Sequence, residues 1–315
     1  MQAWQFDGNA GTLVLAEVPE PEAGPGEVLI AVKAAGLCHS DIGIVDGHLP
    51  LSLLGKLPIT LGHEVAGEIV EVGEGAERFA PGDRVGLHMS ARGPGMAIDG
   101  GYAPLIKAPT DILVPIPDGV DFDSAAAGTD AGMTAYRAVK IAGEVTAGQR
   151  VGIVGLGGLG LIGAQIARAL GAEVYGVEPR REIHDVAAEL GVKETFVDVA
   201  DLASLELDTI LDFAGFGNTT TVGSIQAARR GGRVVQVGLG DPTVTLSLTL
   251  LVQKRVTLVG SAAGTPEDLA SVYDLMATGQ IKPVISTITF EEIGDGIDRV
   301  RGGRARGRLV ARFEN

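Results

Sequence analysis

Three glycines with the spacing G-x-G-x-x-G, Gly155, Gly157 and Gly160, directly follow the apolar run RVGIVG (150–155) and open the periodic run GLGLIGAQIARALG. This spacing suits phosphate chemistry. The first glycine allows a tight turn, the second lets backbone approach a pyrophosphate, and the third lets the helix pack on the strand. With Gly158 and Leu159 in the same turn, the helix N-terminus points at the phosphates. Glu178 ends the next apolar run, EVYGVE (173–178), where a carboxylate can accept from ribose hydroxyls. A carboxylate there repels a 2′-phosphate and favours NAD. Arg180 and Arg181 follow it and could clamp such a phosphate bidentately, so NADP stays as the alternative. The plainer reading of these arginines is solvated charge at a helix start. A Gly-rich turn can also bind nothing, but the strand before this one and the helix after it weigh against that.

A second stretch, GLCHSDIGIVDGHLPLSLLGKLPITLGHEVAGEIVEVG (36–73), holds the only cysteine, Cys38, and the pair His63–Glu64. One thiol cannot form an internal disulfide, and a metal site built from four cysteines is excluded. Taken alone, Cys38 also reads as a small buried hydrophobe, and Ser40 and Asp41 as caps of the helical turn that SDIGIVDG can start.

The elements that must position these groups fall into two regions. Residues 11 to about 110 carry short β-type runs, TLVLAEV, EVLIAVKAA, VAGEIVEVG and DRVGL, broken by turn chemistry such as EPEAGPGE and FAPGD. Alternation of Val28, Ile30 and Val32 marks half-buried strand. From about residue 131 the pattern changes to alternating helix and strand, with TFVD, TILDFAG, RVVQVG and RVTLVGS as further strands, which is how a parallel doubly wound sheet reads. After about residue 278, β-type runs return around one short helix.

The 315 residues suit two domains, and 45% hydrophobic with 21% charged residues is ordinary globular usage. A formal net charge of -15 repels nucleic-acid phosphates and anionic lipid surfaces. No run approaches the roughly 18 apolar residues that span a bilayer, and the N-terminal residues lack a signal-peptide pattern. A cytoplasmic protein with no nucleic-acid or membrane partner is expected. The arginines at 299, 301, 304, 306 and 312 read as solvated surface.

The ordered set GLCHSD, GHEVAGEIVEVGE, PGDRV, AGMTAYRAV and GIVGLGGLG resembles the zinc-dependent alcohol dehydrogenases of the medium-chain dehydrogenase/reductase family, over nearly the whole chain. The resemblance implies an α/β fold with a GroES-like β-rich catalytic domain (1–130 and 278–315) and a Rossmann nucleotide domain (131–277). It implies one catalytic Zn2+ held by Cys38, His63 and Asp130, the aspartate standing where many members carry a second cysteine. Glu64 matches a carboxylate behind the metal that enters its shell during exchange. Asp41 matches the group orienting the histidine ligand, and Ser40 the hydroxyl that passes the substrate proton outward. His39 and Arg308, the latter in GRLVARF, match groups near the cofactor pyrophosphate. The implied activity interconverts primary or secondary alcohols with aldehydes or ketones using NAD(P), in a homodimer or homotetramer.

The chain departs from that family in two places. The cysteine-rich lobe after GDRV, which holds a structural zinc, is missing, and GLHMSARGPGMAIDGGYAPL runs straight on, with His88 and Met89 where the family lines its pocket. Gly43 replaces a relay histidine, leaving water, ribose hydroxyls or His48 for the proton. Two rival readings remain, a zinc-free reductase of quinones or activated double bonds in the same superfamily, and a nucleotide-binding protein without catalysis.

Overall fold

A computed structural model describes residues 1–9 and 11–314. Two compact units form, one from Met1–Met133, Gly264–Thr278 and the chain from Ile285 onward, the other from Thr134–Ala263 and Gly279–Val284. Among the described residues no helix is long and apolar enough to cross a membrane.

The first unit is organised on a seven-stranded sheet whose central strand is Glu27–Leu37. That strand pairs antiparallel with Glu64–Val72, Arg308–Arg312 and Leu105–Pro109. The strands Arg84–Leu87 and Leu113–Pro115 extend the sheet on one side and Ile285–Thr289 on the other. Val28, Ile30 and Val32 enter the core by the expected alternation. A register shift between Val32 and Ala34 then changes the phase, so that Ala35 and Leu37 continue the core. Gly36 faces Glu64 and Leu37 faces Leu309, so three neighbouring strands bring the residues next to Cys38, His63 and Arg308 to one end of the sheet. Gly36 is required there, since a Cβ would lie 1.9 Å from Glu64 Oε2.

The second unit holds a six-stranded parallel sheet in the order Glu194–Phe196, Glu173–Val177, Arg150–Val154, Leu207–Asp212, Ala228–Gln236 and Thr257–Gly260. Chain order reverses at Arg150–Val154, the first strand, which sits in the middle. This is the doubly wound Rossmann arrangement, whose ligands bind outside the carboxyl ends of the strands at that switch. The apolar runs read as strands from the sequence all take part.

The compact units depart from the expected ranges in more than one stretch: Gly279–Val284, within the expected catalytic range of 278–315, lies in the second unit. The helix Pro266–Ala277, which fell within the expected nucleotide domain of 131–277, belongs to the first unit. Its Val272 and Met276 pack against Gly132 and Gly128, and Tyr273 donates to the Ala125 carbonyl at 3.1 Å. The amphipathic face of that helix fits a helical partner as well as a sheet, and nothing in its sequence distinguishes the two.

Candidate metal centre and dinucleotide site

Cys38 follows the central strand and immediately precedes the short helix His39–Val45. His63 directly precedes the strand Glu64–Val72. Asp130 sits in a π-helical turn, Gly128–Gly132, that continues the helix Phe122–Ala127, a local widening found often at functional positions. One donor atom from each of Cys38, His63, Glu64 and Asp130 lies within 4.8 Å of all the others, and all four residues are buried. Asp130 Oδ2 is 3.5 Å from the Cys38 sulfur and 3.4 Å from His63 Nε2. Zinc bonds of about 2.0–2.3 Å in a tetrahedron give donor separations of roughly 3.3–3.7 Å.

The donors fit a metal on a second ground. His63 is fully buried, yet its Nε2 makes no hydrogen bond, the Asp130 oxygen nearby being badly aligned for one. A buried ring nitrogen without a partner, protonated or not, is costly unless something else engages it. The other ring nitrogen, Nδ1, lies 3.1 Å from Asp41 Oδ1. Asp41 Oδ2 accepts from the Cys38 N–H at 3.1 Å and from the Tyr102 hydroxyl at 2.8 Å. Asp41 therefore caps the turn and touches His63 at once. Ser40 is half-buried with its hydroxyl 3.7 Å from the Cys38 sulfur.

Burial disfavours a charged His63, but Asp41 and then Asp130 outweigh it and lift the ring's pKa well above the ordinary value. Burial likewise pushes Asp41 up, and it is overcome by His63 and by the Tyr102 and Cys38 hydrogen bonds, which leave the carboxylate below its usual range. Burial pushes the Glu64 carboxyl up; Arg308 pulls against this and Asp130 adds to it.

Both Glu64 oxygens are engaged. Oε2 accepts from Arg308 Nε at 2.7 Å, while Oε1 accepts from Arg308 Nη2 and from the Ala131 N–H, the latter at 3.1 Å. Glu64 thus holds the turn carrying Asp130. Arg308, expected at the cofactor pyrophosphate, is 4% exposed and directs Nε and Nη2 to Glu64. His39 is exposed at the start of its helix. His88 is buried with Nε2 3.0 Å from the Gly264 carbonyl, Met89 is half-buried and His48 is exposed. Tyr102 was not singled out by the sequence, because a lone aromatic in DGGYAP carries no local signal of what its hydroxyl reaches.

In the second unit, Gly155 adopts φ +85° and Gly160 stacks so closely that a Cβ would lie 1.8 Å from the Gly155 carbonyl oxygen. Gly157 is different: a Cβ there meets no atom within 4 Å. The chain itself does not need that glycine, which leaves room for a ligand against the backbone. Gly158 and Leu159 begin the helix Gly158–Ala169. Glu178 Oε2 accepts the Leu156 N–H of the same turn at 3.1 Å, and Oε1 accepts Arg180 Nε at 2.9 Å. Burial pushes Glu178 up, but the bonds from Arg180 outweigh it and hold the carboxylate below its usual range. Arg180 is therefore paired rather than merely solvated, whereas Arg181 is exposed.

Comparison with known proteins identifies the class. Residues 24–118 match the alcohol dehydrogenase GroES-like domain and residues 158–278 match the zinc-binding dehydrogenase family. The chain belongs to the medium-chain dehydrogenase/reductase family and is an oxidoreductase related to its alcohol dehydrogenases. An alcohol dehydrogenase of Geobacillus stearothermophilus is 34% identical, with 96% of each chain covered. An acryloyl-coenzyme A reductase of Sulfurisphaera tokodaii is 31% identical over 99% of this chain and 100% of that one. The structure of an acetophenone reductase from Geotrichum candidum in complex with NAD superposes with a TM-score of 0.91 at 29% identity, covering 99% of this chain and 97% of that one.

Proposed function

We propose that the protein is a zinc-dependent alcohol dehydrogenase that interconverts primary or secondary alcohols with aldehydes or ketones, using NAD in preference to NADP. The observation that carries the reading is the convergence of Cys38, His63 and Asp130 around an unbonded, fully buried His63 Nε2. Thiolate, imidazole and carboxylate together neutralise a divalent ion and leave a fourth position for substrate. Zinc held there supplies Lewis acidity that lowers the pKa of an alcohol, and NAD supplies the hydride acceptor. Asp41 accepts from His63 Nδ1 and so turns the Nε2 lone pair toward the other donors. The Ser40 hydroxyl, half-exposed near the Cys38 sulfur, accepts the substrate hydroxyl proton and hands it to water. Glu64 is occupied by Arg308 and Ala131, so it steadies the site from behind instead of ligating.

Gly155, Gly157 and Gly160 receive the pyrophosphate. Glu178, anchored to Leu156 and Arg180, accepts the adenosine ribose hydroxyls and disfavours a 2′-phosphate. A homodimer or homotetramer is expected to form through the second unit, whose edge strand Thr257–Gly260 and side chains Leu239, Leu248 and Val252 are exposed. Light scattering measures that state.

The deciding experiment is a panel of alcohols and carbonyls run with NAD and NADP, before and after chelation, beside metal analysis. One zinc per chain and NAD-linked turnover that chelation abolishes and zinc restores are expected. Turnover indifferent to chelation overturns the reading. The similarity to an acryloyl-coenzyme A reductase favours a second reading, reduction of an activated double bond, and enoyl thioesters in the same panel test it.

A further inference from the structure

We propose that Tyr102 is a positioning residue of the metal centre, its hydroxyl fixing Asp41 and, through Asp41, both His63 and the backbone of Cys38. The inference rests on the zinc reading above. Tyr102, Asp41 and His63 are all 0% exposed. Within this dry cluster Asp41 receives three donors, His63 Nδ1 at 3.1 Å, the Cys38 N–H at 3.1 Å and the Tyr102 hydroxyl at 2.8 Å. Two of the three belong to residues that hold the ion. The third comes from outside the ligand set.

A tyrosine hydroxyl has one proton to give. The alternative acceptor, the Gly36 carbonyl, is at 3.3 Å, so the nearer and charged Asp41 takes it. Without it, Oδ2 keeps only the Cys38 N–H and the carboxylate is held by a single bond at each oxygen. Both bonds that orient the ligands then loosen together.

The rest of Tyr102 serves the fold, and this separates the two tasks. Its N–H donates to the Leu61 carbonyl at 3.0 Å, its carbonyl accepts from the Trp4 N–H at 2.9 Å, and its ring packs against Gly62, where a Cβ would approach it to 2.4 Å. A phenylalanine keeps all of these contacts and loses only the hydroxyl.

Partners behind metal-ligating residues typically contribute about 10–100-fold in metal affinity. The test measures zinc affinity of the metal-stripped full-length protein by competition with a chromogenic chelator, for wild type, Tyr102→Phe, Asp41→Asn and the double variant. Tyr102→Phe is expected to weaken zinc binding by about 10-fold or more, with the melting temperature of the metal-free protein unchanged. In the Asp41→Asn background the same change is expected to cost nothing further. An unaltered zinc constant in Tyr102→Phe overturns the inference and leaves the zinc reading standing. An equal fall in the melting temperatures of metal-free and zinc-loaded protein overturns it too, since the hydroxyl then serves only the fold. A further loss in the Asp41→Asn background shows that the hydroxyl acts through another group. Wild-type protein that binds no zinc overturns both this inference and the reading beneath it.

Discussion

The Cys38 sulfur lies 3.5 Å from Asp130 Oδ2 although 92 positions separate the two residues, and that same oxygen is 3.4 Å from His63 Nε2. Asp130 is thus shared by the other two donors. Exchanging the soft thiolate for a hydroxyl in Cys38→Ser, or the carboxylate for an amide in Asp130→Asn, removes one of the two charges that would neutralise the proposed ion. Each variant should lose zinc by more than the roughly 10–100-fold that an outer partner contributes. Metal analysis after dialysis against a weak chelator reads this directly, and full zinc occupancy in Cys38→Ser would take the sulfur out of the site.

The Arg308–Glu64 pair makes a separate prediction about stability. Both groups are buried and bonded through two guanidinium nitrogens, so Arg308→Met leaves a fully buried Glu64 carboxyl without its cation and with its oxygens short of donors, and burial drives it to take up a proton. Breaking such a pair costs about 3–5 kcal/mol, whereas replacing both partners by packed apolar groups is often close to neutral. Urea unfolding of metal-free protein should show that loss in Arg308→Met and recover much of it when Glu64→Leu is added. A loss below about 1 kcal/mol is what an exposed pair would give, and it would mean that the pair is solvated.

The strands and the Gly-rich turn were legible because their signals are local: alternation in Val28, Ile30 and Val32, and glycines whose spacing matches one turn. The donors Cys38, His63 and Asp130 were reached only through family resemblance, since no local spacing joins residues brought together by strand pairing and a π-helical turn. Arg308 was found by the same route and given a different neighbour, Glu64. The sequence shows that an arginine stands near the end of the chain, but the antiparallel register of Leu309 on Leu37 decides what it meets. Tyr102 escaped entirely. Its hydroxyl reaches Asp41 across 61 positions, and a buried aromatic looks the same in sequence whether or not its polar end has a task.

Gly157 and Gly160 should separate folding from coenzyme binding. A Cβ at Gly160 would lie 1.8 Å from the Gly155 carbonyl oxygen, so Gly160→Ala must distort the turn and should lower the melting temperature as well as NAD affinity. A Cβ at Gly157 meets nothing of the chain, and alanine at this helix N-cap costs about 1 kcal/mol. Gly157→Ala should therefore keep most of the stability and lose NAD affinity, measured by calorimetric titration. Undiminished NAD binding in Gly157→Ala would show that the pyrophosphate does not approach that backbone.

Glu178 carries the pH prediction. Burial alone would raise its pKa, but the Arg180 hydrogen bonds prevail and the folded-state value lies below the ordinary 4.5. For an acid depressed in the folded state, the stabilisation is fully present above the unfolded value and is lost as pH falls through the folded one. Thermal midpoints of wild type and Glu178→Gln should therefore differ by a constant amount from about pH 8 down to about pH 5, then converge as the solution is made more acidic. The sign is diagnostic: a gap that widened on acidification would mean that Glu178 is held protonated in the folded protein. The same substitution removes the negative charge proposed to face the ribose and loosens Arg180 from its partner. The preference for NAD over NADP should narrow accordingly, read as the ratio of kcat/KM for the two coenzymes at neutral pH. An unchanged ratio in Glu178→Gln would place the selection elsewhere in the second unit.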